Sequence, residues 1–178
     1  LNLLSRDLPF FWDAISKSKR AQWILDNNFS SVILPLEYDS GHPPLFLLYL
    51  AGIWAVFGKT LTISHLAMLP FLLGIGYQLI LYVKKYIPEK YFPACFLLIL
   101  SEPTFLAQMT NMQTDIILIF FYFLGLNAIH SGKKMYILVS VIGLTLINMR
   151  GMVMAFSFFV TDVYLNYHSY KSFSRSFI

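Results

Sequence analysis

TLTISHLAMLPFLLGIGYQLILYV, residues Thr60 to Val83, is a run of 24 residues without a single formal charge. As a helix rising 1.5 Å per residue it would extend roughly 36 Å, more than the ~30 Å hydrocarbon core of a bilayer. The rest of the chain has the same character. Hydrophobic residues make up 57% of its 178 positions and charged residues 12%, where a soluble domain carries about 25% charged residues. Together these features indicate an all-α, polytopic membrane protein.

Working outward from that run, further apolar segments follow at Tyr91–Gln108, Ile116–Ile129, Met135–Met149 and Met152–Asn166. With Thr60–Val83, whose helical core is Leu61–Val83, they suggest about five spans. The last two are short and read either as two spans or as one long helix broken at Arg150-Gly151. Charge favours two. If Leu61–Val83 runs inward, then Lys84, Lys85, Lys90, Lys133, Lys134, Lys171 and Arg175 all fall on the cytoplasmic side. The short outward loops then hold no cation except Arg150, as the positive-inside bias requires. Leu45–Phe57 is apolar but only 13 residues long, a length suited to an interfacial or re-entrant segment. A crossing there would invert every later lysine.

Residues 1–60 therefore read as an extracytoplasmic loop preceding a transmembrane region over 61–178. Five of the nine acidic residues lie in the first 39 positions. Phe10 to Asp26 has the spacing of an amphipathic helix, with Phe11, Ala14, Ile15, Ile24 and Leu25 on one face. Lys17, Lys19 and Arg20 crowd the other face, which suits a helix lying in the interface with its cations toward lipid phosphates. The formal charge of +4 fits membrane orientation and calls for no nucleic acid. Cys95, alone in an apolar stretch, reads as a buried inert thiol. Tyr77, Tyr82, Tyr86, Tyr91 and Tyr167 lie near predicted span ends, where aromatic belts form.

The most unusual local sequence is DSGHPPLF, Asp39 to Phe46. Its two prolines remove two backbone donors and hold the preceding residues extended, with Pro44 suited to the first turn of the next helix. Such a stiff entry would keep Asp39 and His42 at a defined height above the bilayer; read from spacing alone, it is equally a helix-start signal. Asp115 and Thr114 open another apolar run, and either would serve as its N-cap. Arg150 between two apolar runs is a functional candidate by default, or a residue snorkelling from a span end. His65, His130 and His168 read as structural.

Asp39-x-Gly41-His42-Pro43-Pro44-Leu45 followed by Trp54-x-x-Phe57-Gly58 resembles the GT-C superfamily of membrane glycosyltransferases, nearest to the protein mannosyltransferase and aminoarabinose transferase branch. Arg6-Asp7 ahead of an aromatic-rich helix is similar to the acidic motif of that family's first external loop. Pro103-x-Phe105 with Asp115, and Arg150-Gly151, resemble later elements in the same order, so the likeness spans residues 5–155. Two departures stand out: Asp7 is followed by Leu8 rather than by a second acid, and some relatives carry Lys where this chain has His42.

The resemblance implies transfer of a sugar from a polyprenyl-phosphate-linked donor to a glycan, lipid or protein acceptor hydroxyl at the extracytoplasmic surface. Such chemistry needs a base for the acceptor and cations for the phosphate leaving group. Asp7 is then the candidate base, and His42 and Arg150 the candidate phosphate ligands. Asp39 would orient His42 or bind acceptor, Asp115 would be a substrate-binding acid, and Glu102 a lesser candidate. No cofactor or metal is expected, and the expected location is an inner or plasma membrane. A transporter or flippase of a lipid-linked or anionic substrate, or a non-catalytic scaffold, are the other functions open to the sequence. The absence of a signal-peptide pattern after Leu1, and the stop soon after an apolar segment, read as a fragment of a longer chain.

Overall fold

Helix formation is cooperative and most of its stability comes from packing one face, so a chain this apolar resolves into helices that share a core. The computed structural model describes residues 4, 7–9, 11, 13–38 and 41–175. Among these it is all-α, without strands. Its helices are α1 (Asp13–Asp26), α2 (Leu45–Phe57), α3 (Leu61–Leu66), α4 (Leu69–Tyr86), α5 (Phe92–Leu100), α6 (Pro103–Met109), α7 (Thr114–His130), α8 (Lys134–Ile147) and α9 (Met149–Arg175).

Helix α7 is central, packing on α8, α4 and α9, while α1 and α2 form a pair that reaches α8. Rings set against glycines make these contacts close. Phe120 of α7 lies over Gly74 of α4, Phe121 of α7 over Gly143 of α8, and Phe158 of α9 over Gly125 of α7. Each glycine occupies a place where a Cβ would strike the ring, so the aromatic faces can approach the partner backbone. One continuous core joins Leu50 of α2, Ile75 of α4, Ile116 of α7 and Leu144 of α8, all fully buried. The outward faces remain apolar: Leu98 on α5, Ile142 on α8, and Phe156 and Phe159 on α9 are exposed.

Several expected spans are interrupted. The 26-residue run Leu61–Tyr86 is long and apolar enough to cross a membrane, although it turns at Ala67–Met68 between α3 and α4, just ahead of Pro70. The expected single span Tyr91–Gln108 is instead α5 and α6, bent by 63° between them. Pro103 lacks an N–H and forces Glu102 out of the helical region; Glu102 is extended (φ −61°, ψ 123°) and its carboxylate caps the Phe105 amide of α6. Taken as one broken span, this pair would be a second crossing. The last segments are two helices, but they part at Asn148 rather than at Arg150-Gly151. Asn148 is extended (φ −158°, ψ 152°), and its side-chain oxygen accepts from the Arg150 amide at 3.2 Å, as favoured for an asparagine at a helix start. Cys95, expected to be buried, is half-exposed on α5 and free.

Helix α2 ends at Gly58, whose positive φ of 81° lets the chain leave the helix while its N–H closes on the Trp54 carbonyl. From there α3 folds back, and the buried Trp54 indole N–H donates to Ser64 Oγ at 2.9 Å. The Ser64 hydroxyl in turn donates to the Thr60 carbonyl at 2.7 Å. Ser64→Ala should therefore destabilise the protein by about 1–3 kcal/mol, the desolvation cost of a buried donor left unpaired. Thermal unfolding in detergent checks this, and adding Trp54→Phe should recover part of the loss.

Candidate functional site

Helix α1 builds one wall of the site. Asp13, Lys17 and Arg20 follow at steps of four and three, the spacing that stacks side chains on one helix face. The expectation that Lys17 faces lipid phosphates is overturned: it is 7% exposed. Its ammonium donates to Asp13 Oδ2 at 2.6 Å and to Gln113 Oε1, just before α7, at 3.0 Å. A buried ammonium is retained only when paired and hydrogen-bonded, and α1's other buried residues, Ala14, Ala21 and Ile24, turn this face onto the bundle. The Lys17 hydrogen bond is the leading cause that holds the Asp13 carboxyl below its usual range. Asp13 therefore stays ionised through the neutral range.

Asp13, Lys17 and Arg20 line a small cavity closed by His42 ahead of α2, Thr114 at the start of α7 and Asn148 at the α8–α9 corner. Its volume is about 30 Å³, room for one or two waters. Phe46 and Ile147 form its apolar edge, and the same two residues line a second space of about 170 Å³ with a wholly apolar wall. That crevice runs past Tyr49, Phe71, Ile117 and Phe121, between α2, α4, α7 and α8. The charged chamber and a hydrocarbon-like slot therefore adjoin, with Phe46 and Ile147 as their shared wall.

At the N-terminus of α7 the expected cap is displaced by one residue. Gln113 is the cap position and makes no side-chain capping bond, so Thr114 and Asp115 lie inside the first turn. There the Asp115 carboxylate complements the helix dipole and lies 3.7 Å from Arg150 Nη1. The structure thus joins two of the expected residues, and their chain neighbours Thr114 and Asn148 bring that pair to the edge of the His42 chamber. Arg150 stands in the first turn of α9, 76% exposed. Pro44 is the cap of α2 rather than a first-turn residue.

Asp7 lies elsewhere. Its carboxylate accepts from Thr62 Oγ1 at 3.4 Å, and the adjacent Leu8 carbonyl lies 3.2 Å from His65 Nε2. These contacts set Asp7 beside α3, and it is not among the residues that line the His42 chamber. Asp39 and Arg6 fall outside the described residues. Glu102 is a helix cap. Among the described residues no three His, Cys, Asp or Glu side chains gather as a metal site. Sequence reading passed over Asp13 and the burial of Lys17, although their four-residue spacing was the available signal; Gln113 gave none. No family model, curated protein or solved structure matches this chain.

Proposed function

We propose that this chain is the substrate-binding part of a polytopic membrane glycosyltransferase acting on a polyprenyl-phosphate-linked sugar at the extracytoplasmic surface. The observation that carries the reading is the adjacency of the two spaces: Lys17, Arg20 and His42 line the polar chamber, and an apolar slot lies across the shared Phe46 and Ile147. An amphiphile with a phosphate at the head of a hydrocarbon chain matches that division. The uncapped N-terminus of α7 adds backbone N–H groups and a positive dipole end, which favour an anion. At about 30 Å³ the chamber meets phosphate oxygens at its mouth and leaves the sugar outside. The multi-pass reading rests on the exposed apolar faces of α5, α8 and α9 and on the charge-free run through α4.

In this reading the base is Asp13 rather than Asp7, because a base must come within hydrogen-bond reach of the proton it takes and Asp13 is the carboxylate lining the chamber. Phosphate drawn to Lys17 would compete for its ammonium and so raise the basicity of Asp13. Arg150 and Asp115, paired at the rim, would position the donor.

The test adds a polyprenyl monophosphate, the corresponding polyprenol, or inorganic phosphate to the purified protein and follows thermal stability. The monophosphate should stabilise most, since only it presents a phosphate to the mouth of the chamber and a hydrocarbon chain to the slot; equal stabilisation by the polyprenol would remove the phosphate site. Transporters also place substrate beside broken helices, and Asn148, where α8 and α9 part, lines the chamber. Transbilayer movement of the lipid without a new glycosidic bond would favour that second reading.

A further inference from the structure

A larger polar cavity of about 600 Å³ also lies along α1, within the ~300–1,000 Å³ of small-molecule sites. It shares Arg20 with the smaller chamber, but its assignment does not rest on the transferase reading. We infer that this cavity binds an aminoalkyl phosphate, a ligand with a phosphate at one end and an ammonium at the other.

The wall supplied by α1 is polarised along its length. Lys19 and Arg20 come first, Trp23 next and Asp26 last, so cation and carboxylate are about 9 Å apart along the axis. Local bonds hold this order in place. Arg20 Nη2 donates to Ser16 Oγ at 2.8 Å, and Gln22 Nε2 donates to Asp26 Oδ1 at 2.6 Å. The facing wall brings Glu37 and Tyr38 from the loop after α1, and Lys59 from beyond α2. Trp23 and Tyr38 approach with ring centroids 6.4 Å apart, tilted by 35°, and so flank the middle of the cavity.

Three cations and two carboxylates in one cavity select against most ligand classes. A simple anion would meet Asp26 and Glu37, and a simple cation would meet Lys19, Arg20 and Lys59. A neutral polyol would desolvate five charges while offering only hydroxyls in return, an unfavourable exchange. A zwitterion satisfies both ends. Its phosphate takes charge-assisted bonds from Lys19 and Arg20, and its ammonium meets the Trp23 and Tyr38 faces and the carboxylates beyond them.

Calorimetric titration of the full chain in detergent with phosphoethanolamine, inorganic phosphate and ethanolamine tests this. Phosphoethanolamine should bind at least tenfold more tightly than either of the other two. Glu37→Gln, at an exposed site where folding is not at stake, should abolish most of that advantage, and Lys19→Gln should weaken binding of both phosphate compounds. Lys17→Met, in the other chamber, should leave it unchanged. Inorganic phosphate binding as tightly as phosphoethanolamine, or Glu37→Gln without effect, would overturn the assignment. Competition by phosphatidylethanolamine nanodiscs, but not by phosphatidylglycerol ones, would make the source a lipid headgroup; failure of both to compete would make it a free solute.

Discussion

Gly151→Ala is expected to destabilise the protein by roughly 3 kcal/mol or more, at or beyond the upper end of ordinary overpacking. A Cβ at Gly151 would sit on the Leu144 carbonyl oxygen, with the Leu144 carbonyl carbon at 2.7 Å and Leu118 Cδ2 at 2.9 Å. Two of these three atoms belong to backbone, which cannot rotate aside as a flexible side chain can. The Asn148 corner would have to open, and with it the contact of α9 on α8. Gly76 in α4 is the internal control, because a Cβ there meets nothing within 4 Å. Gly76→Ala should be stabilising by about 0.5–1 kcal/mol through helix propensity alone. Thermal melts of the two variants in the same detergent should therefore move in opposite directions. A Gly151→Ala protein that melts with the parent would mean that α8 and α9 do not pack in this way.

Lys17→Met should separate stability from ligand binding. Burying an ammonium carries a desolvation penalty that a methionine at the same position does not. The Asp13 carboxylate left behind is 63% exposed and can be rehydrated. Melting temperature should thus hold or rise. Binding of a polyprenyl monophosphate should weaken by about tenfold to a hundredfold, the equivalent of the 1.5–3 kcal/mol that a hydrogen bond to a charged group contributes. Binding of the polyprenol should not change. Lys17→Met with unaltered monophosphate binding would leave Lys17 as a structural tie between α1 and α7. A fall in stability with no change in binding would give the same answer more strongly.

The chain's helical nature was legible because composition and period act locally. The 13 apolar residues from Leu45 to Phe57 are bounded by two prolines and a glycine, and the structure has a helix with the same limits. The interruption at Ser101–Glu102 was also readable in principle, since Pro103 restricts its neighbour whatever the surroundings. The position of the α8–α9 break was harder. Asn148 and Arg150 are both polar residues between apolar runs, and only the cap formed by Asn148 on the Arg150 amide distinguishes them.

The candidate site divides in the same way. Residue type marked Arg150, because a charge between apolar runs is costly and therefore informative, whereas His42 and Asp115 were marked through the family resemblance. That Asp115 meets Arg150, 35 positions further along the chain, while Asp7 sits against Thr62, depends on how the helices pack. Sequence by itself determined an all-α chain, rich in apolar helices and with its charges at their ends, because helix period and hydrophobic transfer are properties of short segments. Only the tertiary structure decided that Lys17 turns inward to Gln113 and that a charged chamber adjoins an apolar slot. Both depend on which faces of distant helices meet, and a local pattern does not specify its partner.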